Sequence, residues 1–188
     1  MTQIDNSWLA YAPSDWKRLR VKQVMRRKNS KAKHDNPVVL SLARTGVKVR
    51  DITSNEGQLA ESYENYNLVE PDDILLNPMD LQSGANCSIS RVSGVISPAY
   101  VNLRPNNKRF DSRFFDYYFK TQYWSKVFFA YGKGVSYDNR WTLNAETVMN
   151  YPILVPDSET QKKVADYIDA ETAQIDNLIA KQERLLEL

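Results

Sequence analysis

The chain has 188 residues, of which 42% are hydrophobic and 26% charged, and its formal net charge is +2. This composition is that of an ordinary globular protein, and the absence of any run of eighteen apolar residues argues against a membrane span. The single Cys87 and single His34 cannot supply the four ligands of a structural zinc site, and one cysteine cannot form an internal disulfide. We therefore expect no metal and no cofactor, and a reducing, cytoplasmic setting. A Cys87–His34 catalytic pair is the alternative, but the local sequence favours a buried thiol and a surface imidazole.

Charge is distributed unevenly along the chain. The 31 residues from Ser158 onward hold four basic and seven acidic side chains, and the preceding 157 hold the remaining 21 basic and 16 acidic ones. The first part therefore carries a net charge of +5 and the tail −3. A basic globule with an acidic arm predicts two partners, a polyanion for the globule and a protein for the arm.

The first half of the chain is rich in predicted strands. Residues 16–25 are expected to form a short strand or helix with Leu19, Val21 and Val24 inward, and residues 26–33 a basic polar loop. Short runs rich in β-formers follow, each ended by turn residues. They span residues 38–42, 47–52, 73–76, 87–90, 95–97 and 100–103.

The second half changes to a helical period. Aromatic residues recur at helical spacing over residues 111–131, which predicts a helix with Asp111 or Ser112 as N-cap and Gly132 as C-cap. A loop over 132–140, a short helix over 145–149 and a last strand over 153–155 complete the globule. The predicted fold class is therefore α+β, a small β-rich mixed globule followed by a long C-terminal helix.

The tail is predicted to be one helix that ends in a coiled coil. Ser158 and Gln161 have the spacing of a capping box, and neither Gly nor Pro interrupts the segment, which would span about 46 Å as a helix. Its apolar stripe has no evident partner within the chain, so we expect a second chain to cover it. The stripe consists of Val164, Ile168, Ile175, Leu178, Ile179, Leu185 and Leu186.

Known catalytic motifs are incomplete in this chain. The Asn77–Asp80 segment is similar to the base-binding motif of amino-methyltransferases but lacks its second proline and its aromatic residue, and no glycine-rich loop is present for S-adenosylmethionine. A metal nuclease needs converging carboxylates, and the Asp15-Trp16-Lys17 triplet precedes Pro71-Asp72 in the wrong order. We therefore expect a protein that is not itself an enzyme.

Candidate DNA-contacting residues lie in three places: an early basic run, two turns around residues 44–46 and 80–84, and the glycine-bounded loop after the aromatic helix. Lys and Arg would bind phosphates, whereas a few polar side chains would read base edges. A solvated basic face is the alternative for the run, and a helix C-cap with a flexible turn is an equally good interpretation of the loop. The candidates are Arg26, Arg27, Lys28, Lys31, Lys33, Arg44, Lys48, Gln82, Ser83, Lys133, Tyr137, Asn139 and Arg140.

The order of these segments resembles one half of the specificity subunit of type I restriction–modification systems. The resemblance covers essentially the whole chain, and its most specific part is the tail. Position 72 departs from the family pattern, in which Gly commonly begins the turn. They are Asp72-Asp-Ile-Leu75, Ser97-Pro-Ala-Tyr100, Tyr151-Pro-Ile-Leu-Val-Pro156 and, in the tail, Glu159–Gln161, Val164, Tyr167–Thr172 and Ile175–Ile179.

The resemblance implies a non-catalytic DNA-reading subunit. It implies a target-recognition domain over 1–157, which reads one half of a bipartite site in double-stranded DNA. It also implies a coiled-coil helix over 158–188. The helix would dock DNA adenine methyltransferase subunits, and a motor–nuclease subunit could join them. A natural half-subunit that homodimerises and a truncated product lacking its second half both fit the length. The alternative function is an interaction module that binds a methyltransferase without reading DNA.

Overall fold

The computed structural model describes residues 13–33, 37–53, 60–79, 81, 87–134 and 141–186. Within them the chain is a mixed α and β domain with a long helical arm, which confirms the predicted fold class. The predicted strands are present, with ends that differ by at most three residues, and β5 was not predicted. The elements are β1 (Lys17–Arg20), α1 (Val21–Val24), β2 (Met25–Lys28), β3 (Leu40–Ala43), β4 (Gly46–Val49), β5 (Asn67–Val69), β6 (Ile74–Leu76), β7 (Cys87–Ile89), β8 (Gly94–Ile96), β9 (Val101–Pro105), α2 (Ser112–Trp124), α3 (Val127–Ala130), α4 (Ala145–Asn150), β10 (Pro152–Val155) and α5 (Ser158–Leu186).

A four-stranded antiparallel sheet with the order β2-β9-β6-β7 forms the middle layer. Side chains alternate across it: Ile74 and Leu76 join the larger core beneath the helices, whereas Leu75 joins a smaller core on the opposite face. All three are fully buried. The uninterrupted apolar run of β6 is thus explained by burial on both faces.

A second β layer covers the other face of this sheet. It consists of the hairpin β3–β4 and the pair β5–β8, which meet where Val39 bridges Val95. Leu40, Leu42 and Ile96 supply its buried apolar residues. The layer is linked back to the chain beyond β2 by a bridge between Lys31 and Asn67.

The aromatic helix is present but shorter than predicted. Asp111 caps α2 by accepting a hydrogen bond from the Arg113 backbone N–H at 2.8 Å, which confirms one of the two expected caps. The single helix predicted over 111–131 is wrong, because Lys126 has a left-handed φ of 57° and separates α2 from α3. This break lets Phe128 turn into the core and stack on Phe119.

The segment predicted as a strand or a helix contains both, and the segment predicted as a loop begins with a strand. β1 pairs with β10, the one-turn helix α1 buries Val21 and Val24, and β2 then pairs with β9. The loop prediction over 26–33 is therefore wrong for residues 26–28. Polar side chains misled it, because β2 lies at a sheet edge, where Arg26 and Arg27 are exposed.

The arm helix begins as predicted at Ser158 but is capped differently. Asp157 accepts hydrogen bonds at 2.9 Å from the backbone N–H groups of Glu159 and Thr160, so the predicted Ser158–Gln161 capping box is wrong. Gln161 is instead buried and donates to the Pro156 carbonyl at 2.9 Å. Among the described residues, no helix is both long enough and apolar enough to cross a membrane.

Candidate nucleic-acid interface and helical arm

Two of the predicted DNA-contacting segments are anchored side by side. Lys133 and Thr142 pair through backbone hydrogen bonds of 2.8 and 2.9 Å, and they flank the segment that holds Tyr137, Asn139 and Arg140. The backbone N–H of Leu81, which precedes Gln82 and Ser83, donates to the Trp141 carbonyl at 3.4 Å. Those five candidates lie outside the described residues. The described residues that flank them, Leu81, Lys133 and Trp141, adjoin one another.

The anchors beneath these segments are tightly packed. Trp141 donates from its indole Nε1 to the Phe129 carbonyl at 2.8 Å, and Leu81 is 2% exposed. A Cβ atom on Gly132 would lie 2.4 Å from that same Nε1, so no larger residue fits there. The predicted C-cap role of Gly132 is wrong, because Tyr131 is the C-cap of α3 and Gly132 does not have a left-handed φ. Close packing against Trp141 is the constraint that demands glycine.

The third predicted segment lies along the same edge. Gly46, with a φ of +113°, ends the turn that carries Arg44, and a Cβ on it would lie 3.3 Å from Ser88 Oγ. Ser88 belongs to β7, which begins directly after residues 82–86. Arg44 and Lys48 are exposed, and neither forms an ion pair within the described parts of the chain. The Arg44 turn therefore lies against β7, the strand that the chain enters after Leu81 and residues 82–86. We call this set of positions the β7 edge (Arg44–Lys48, Leu81, Cys87–Ser88 and Lys133).

The early basic residues lie at the opposite edge. Arg26 and Arg27 are exposed on β2, which is separated from β7 by three strand spacings, or about 14 Å. Lys33 is also exposed, with a left-handed φ of 60°. Lys31 donates to Asn67 Oδ1 at 2.8 Å. The predicted contacts thus fall into two groups rather than one surface.

The prediction that Lys28 contacts DNA needs correction, because Lys28 belongs to an internal ion-pair cluster. Its Nζ lies 2.6 Å from Glu70 and 2.7 Å from the fully buried Asp73, and Arg104 Nε lies 2.6 Å from the same Asp73 carboxylate. Hydrogen bonding and attraction from Lys28 lower the pKa of Glu70. Lys28 is 13% exposed and is better explained as a structural residue than as a phosphate contact. Sequence reasoning missed Asp73 and Arg104 because their partners are distant in the chain.

A buried carboxyl joins α2 to the start of the β7 edge. Asp116 accepts from Lys120 at 2.7 Å, and the Cys87 thiol lies 3.8 Å from its other oxygen. Burial raises the pKa of Asp116, although Lys120 opposes the shift. Cys87 is a buried free thiol, as predicted, and burial raises its pKa well above the ordinary value. A thiol held protonated in this way is a poor nucleophile.

Residues that could hold a metal do not gather in the described part of the chain. No group of three or more His, Cys, Asp or Glu side chains has a suitable arrangement there. The carboxylates Asp73 and Asp116 are each engaged by cations of the protein itself.

The arm has a bound part and a free part. Val164 packs on the domain core, Ala165 is fully buried, and Ile168 is half-buried, so the expectation that the helix lacks a partner in its own chain is wrong for these first turns. Every described residue from Ala170 onward is exposed. The remaining stripe residues are 50–83% exposed: Ile175, Leu178, Ile179, Leu185 and Leu186.

Comparison with solved structures places this architecture among specificity subunits of type I restriction–modification systems. The chain superposes on the HsdS subunit from Thermoanaerobacter tengcongensis with a TM-score of 0.57 and 14% identity, covering 91% of this chain and 40% of that one. A chain from a structure concerned with complex assembly and conformational transition of the type I R-M system gives a TM-score of 0.58 at 14% identity, covering 89% and 40%.

The S subunit of the type I restriction–modification system from M. genitalium gives a TM-score of 0.53 at 13% identity, covering 94% of this chain and 46% of that one. In fold, the chain is therefore HsdS-like, which confirms the predicted resemblance at that level. It spans less than half the length of these chains. No protein-family model matches it, and no curated protein matches it significantly.

Proposed function

We propose that this chain is a non-catalytic DNA-recognition subunit of a type I restriction–modification complex and reads one half of a bipartite site. The observation that carries this proposal is the placement of described residues: the Arg44 turn lies against β7, and Leu81 and Lys133 are held beside Trp141 and Thr142. Sequence reading needs several side chains from different segments to reach adjacent base edges at once. The HsdS-like fold supports the same assignment.

Affinity and sequence choice would be divided among different side chains of that edge. Lys48 and Lys133 are exposed cations and would bind phosphates, which contributes salt-dependent affinity. Arg44, Gln82, Ser83, Tyr137 and Asn139 would approach base edges, and Arg140 would bind a phosphate. Arg26, Arg27 and Lys33 on the opposite edge would contact the DNA backbone only where the duplex extends around the domain.

The arm would supply the protein partners. We propose a recognition domain over 1–157 and a helical unit over 158–188, whose exposed stripe pairs with a second copy or with a second half-subunit. Burying five large aliphatic side chains per helix would contribute roughly 1.5–3 kcal/mol each. The paired helices would dock DNA adenine methyltransferase subunits, which carry the methylation chemistry, and a motor–nuclease subunit could join them in the cytoplasm. The chain itself would need no cofactor.

The second candidate function is an interaction module that binds a methyltransferase without reading DNA. Two observations favour it: the arm is acidic, and the structure uses Lys28 and Lys31 for internal contacts. The two functions differ in one measurable property. A DNA reader directs methylation to particular sequences, whereas a simple interaction module does not.

The test is to co-express the chain with a type I DNA adenine methyltransferase subunit and to map methylated adenines across random DNA. We expect a bipartite consensus sequence in its presence and none with the methyltransferase alone. A double Arg44→Ala, Lys133→Ala variant should weaken or relax that consensus. Methylation without any sequence preference would reject the reading function and favour the interaction module.

A further inference from the structure

The helical arm is joined to the domain by a charged cluster one turn beyond its apolar contacts. Arg113, the second residue of α2, places Nη1 2.8 Å from Asp166 and 2.7 Å from Asp169 of the arm, and Nη2 3.0 Å from Asp111. Tyr117, one turn along α2, donates to the second Asp169 oxygen at 2.5 Å. We call Arg113, Tyr117, Asp166 and Asp169 the arm joint.

The apolar contacts of the arm lie closer to its start. Gln161 accepts from the Asp111 backbone N–H at 3.0 Å, and Val164 and Ala165 pack on the domain core. Four residues of helix separate Gln161 from Ala165, or about 6 Å of axis, and the arm joint extends the anchored length to about 12 Å at Asp169. For a given displacement at the contacts, doubling the anchored length roughly halves the angle through which the arm helix can tilt.

The free part of the arm acts as a lever on that tilt. Residues 170–186 continue beyond Asp169 for about 25 Å, and all of them are exposed. A tilt of about 10° at the joint would displace the arm tip by about 4 Å, which exceeds the roughly 3.4 Å rise of one base pair. Small angular changes at Asp169 therefore become base-pair-sized changes at the tip.

The chemistry of the joint suits a directional restraint. A guanidinium is planar and presents several N–H groups in a fixed fork, so it fixes direction where an ammonium on a flexible stem does not. Hydrogen bonding to Asp111, opposed by partial burial and supported by Asp166 and Asp169, raises the pKa of Arg113. Burial favours a raised pKa at Asp169, but hydrogen bonds from Tyr117 and Arg113 lower it overall.

We propose that Arg113 is a positioning residue that sets the direction of the arm and thereby the spacing between the two DNA half-sites that a paired assembly accepts. The spacing part of this inference depends on the proposed DNA-reading function. The directional part does not. Arg113 itself is already engaged by carboxylates of its own chain.

The directional part is tested by distance measurement between two spin labels in the full chain. Glu146→Cys on α4 and Lys181→Cys on the free arm are exposed helical positions, and the native Cys87 is buried. Labelled chains diluted into unlabelled chains report the distance within one molecule. We expect the distance distribution to become at least twofold broader with Arg113→Met, and broader to a smaller extent with Arg113→Lys, which keeps the charge but loses the fork.

The matched control is Lys163→Met, which removes one cation from an exposed arm pair. Lys163 lies 2.6 Å from Glu159, and both side chains are about three-quarters exposed without linking the arm to the domain. It should leave the distance distribution unchanged. An equally narrow distribution in Arg113→Met would overturn the inference, because the apolar contacts alone would then fix the arm.

The spacing part is tested with a library of bipartite sites that differ only in spacer length. With the methyltransferase partner present, wild type and Lys163→Met should methylate a narrow set of spacers, and Arg113→Met should accept at least one additional length. A broadened distance distribution with unchanged spacer choice would overturn the spacing part. If wild type selects no bipartite site, the proposed function fails, and the spin-label result still decides the directional part.

Discussion

The two edges of the central sheet use their positive charge in opposite ways. On the β2 side, Lys28 and Arg104 surround the buried carboxylate of Asp73, so those charges are neutralised within the protein. On the β7 edge, the exposed Arg44 and Lys133 have no acidic partner among the residues that the structure describes. The comparison shows that the number of basic residues in a segment does not measure how well that segment can bind DNA. What matters is whether those basic side chains already form ion pairs with carboxylates of the same chain.

The largest expected effect is on stability at the β2 side. Asp73→Ala should lower the free energy of unfolding by about 3–5 kcal/mol, because it removes the buried anion from Lys28 and Arg104 and leaves them only the exposed Glu70. Urea denaturation at neutral pH measures it. Glu70→Gln is the matched control, since it removes a carboxylate from the same two cations at a position 58% exposed, and should cost at most about 1 kcal/mol. Equal losses in the two variants would contradict the internal role of this cluster.

The next effect is on DNA affinity at the β7 edge. Arg44→Ala with Lys133→Ala should weaken DNA binding by roughly 10-fold or more, because a base contact and a phosphate contact are lost. The slope of log affinity against log salt should fall by about 1, because Lys133 is the phosphate contact of the two. Fluorescence anisotropy over a salt series measures both quantities. Unfolding stability should remain within about 0.5 kcal/mol of wild type, as both side chains are exposed.

The matched comparison for that experiment is Arg26→Ala with Arg27→Ala. It removes the same net charge from the opposite, β2 edge. We expect a smaller loss of affinity and no change in sequence preference. If this pair loses as much affinity and specificity as the β7-edge pair, the division between the two edges is wrong.

A third prediction concerns pH, because carboxyl groups on the two sides shift in opposite directions. The pKa of Glu70 is lowered, so its contribution to stability is present above the ordinary value of 4.5 and is lost as pH falls through its folded-state pKa. The pKa of Asp116 is raised, so ionisation is disfavoured in the folded state and stability falls as pH rises from the ordinary value of 3.8 through the raised value.

Unfolding free energies measured from acidic to neutral pH separate these contributions. As pH rises, the free energy of unfolding of wild type should increase relative to that of Glu70→Gln. Over the same range it should decrease relative to that of Asp116→Asn. Slopes of the same sign for both variants would show that one of the two assignments is incorrect.

The smallest expected effect lies in the turn before Asp73. Asp72 has a left-handed φ of 70°, a conformation that glycine adopts more readily than other residues. Asp72→Gly should change the free energy of unfolding by no more than about 1 kcal/mol, with stabilisation expected from the relief of backbone strain. Asp72→Ala should be less stable than Asp72→Gly in the same urea titration. The reverse order would argue against strain at this turn.

Sequence reasoning succeeded where a regular period was visible. Alternating and continuous apolar runs predicted β6 and β9, and aromatic spacing predicted α2 with its Asp111 cap. It failed where a tertiary contact overrode a local signal. Ser158 and Gln161 match a capping box, yet the domain buries Gln161, and Asp157 caps the helix instead. Lys126 ends the aromatic helix because its backbone is left-handed, and a lysine in the sequence does not predict that conformation.

The candidate site divides in the same way. The three candidate segments of the β7 edge were each selected from residue types, but nothing in their spacing of about forty to fifty residues indicated that they adjoin. Hydrogen bonds between Leu81 and Trp141 and between Lys133 and Thr142 bring the ends of two segments together. The close approach of Gly46 to Ser88 places the Arg44 turn against β7. The arm joint was missed entirely, although Asp166 and Asp169 are three residues apart and share one helix face. Their partner Arg113 lies more than fifty residues earlier, so only the packing of α2 on α5 brings it there.

The sequence by itself determined the α+β class, the basic globule, the acidic helical tail and the incompleteness of the catalytic motifs, because these follow from composition and local periodicity. The tertiary structure alone decided which cations are neutralised, which candidate segments lie beside each other, and where along the arm the side chains become exposed. The physical reason is that ion pairing and burial depend on distances between residues far apart in the chain. Local patterns fix the elements, and long-range contacts fix which side chains remain free to bind.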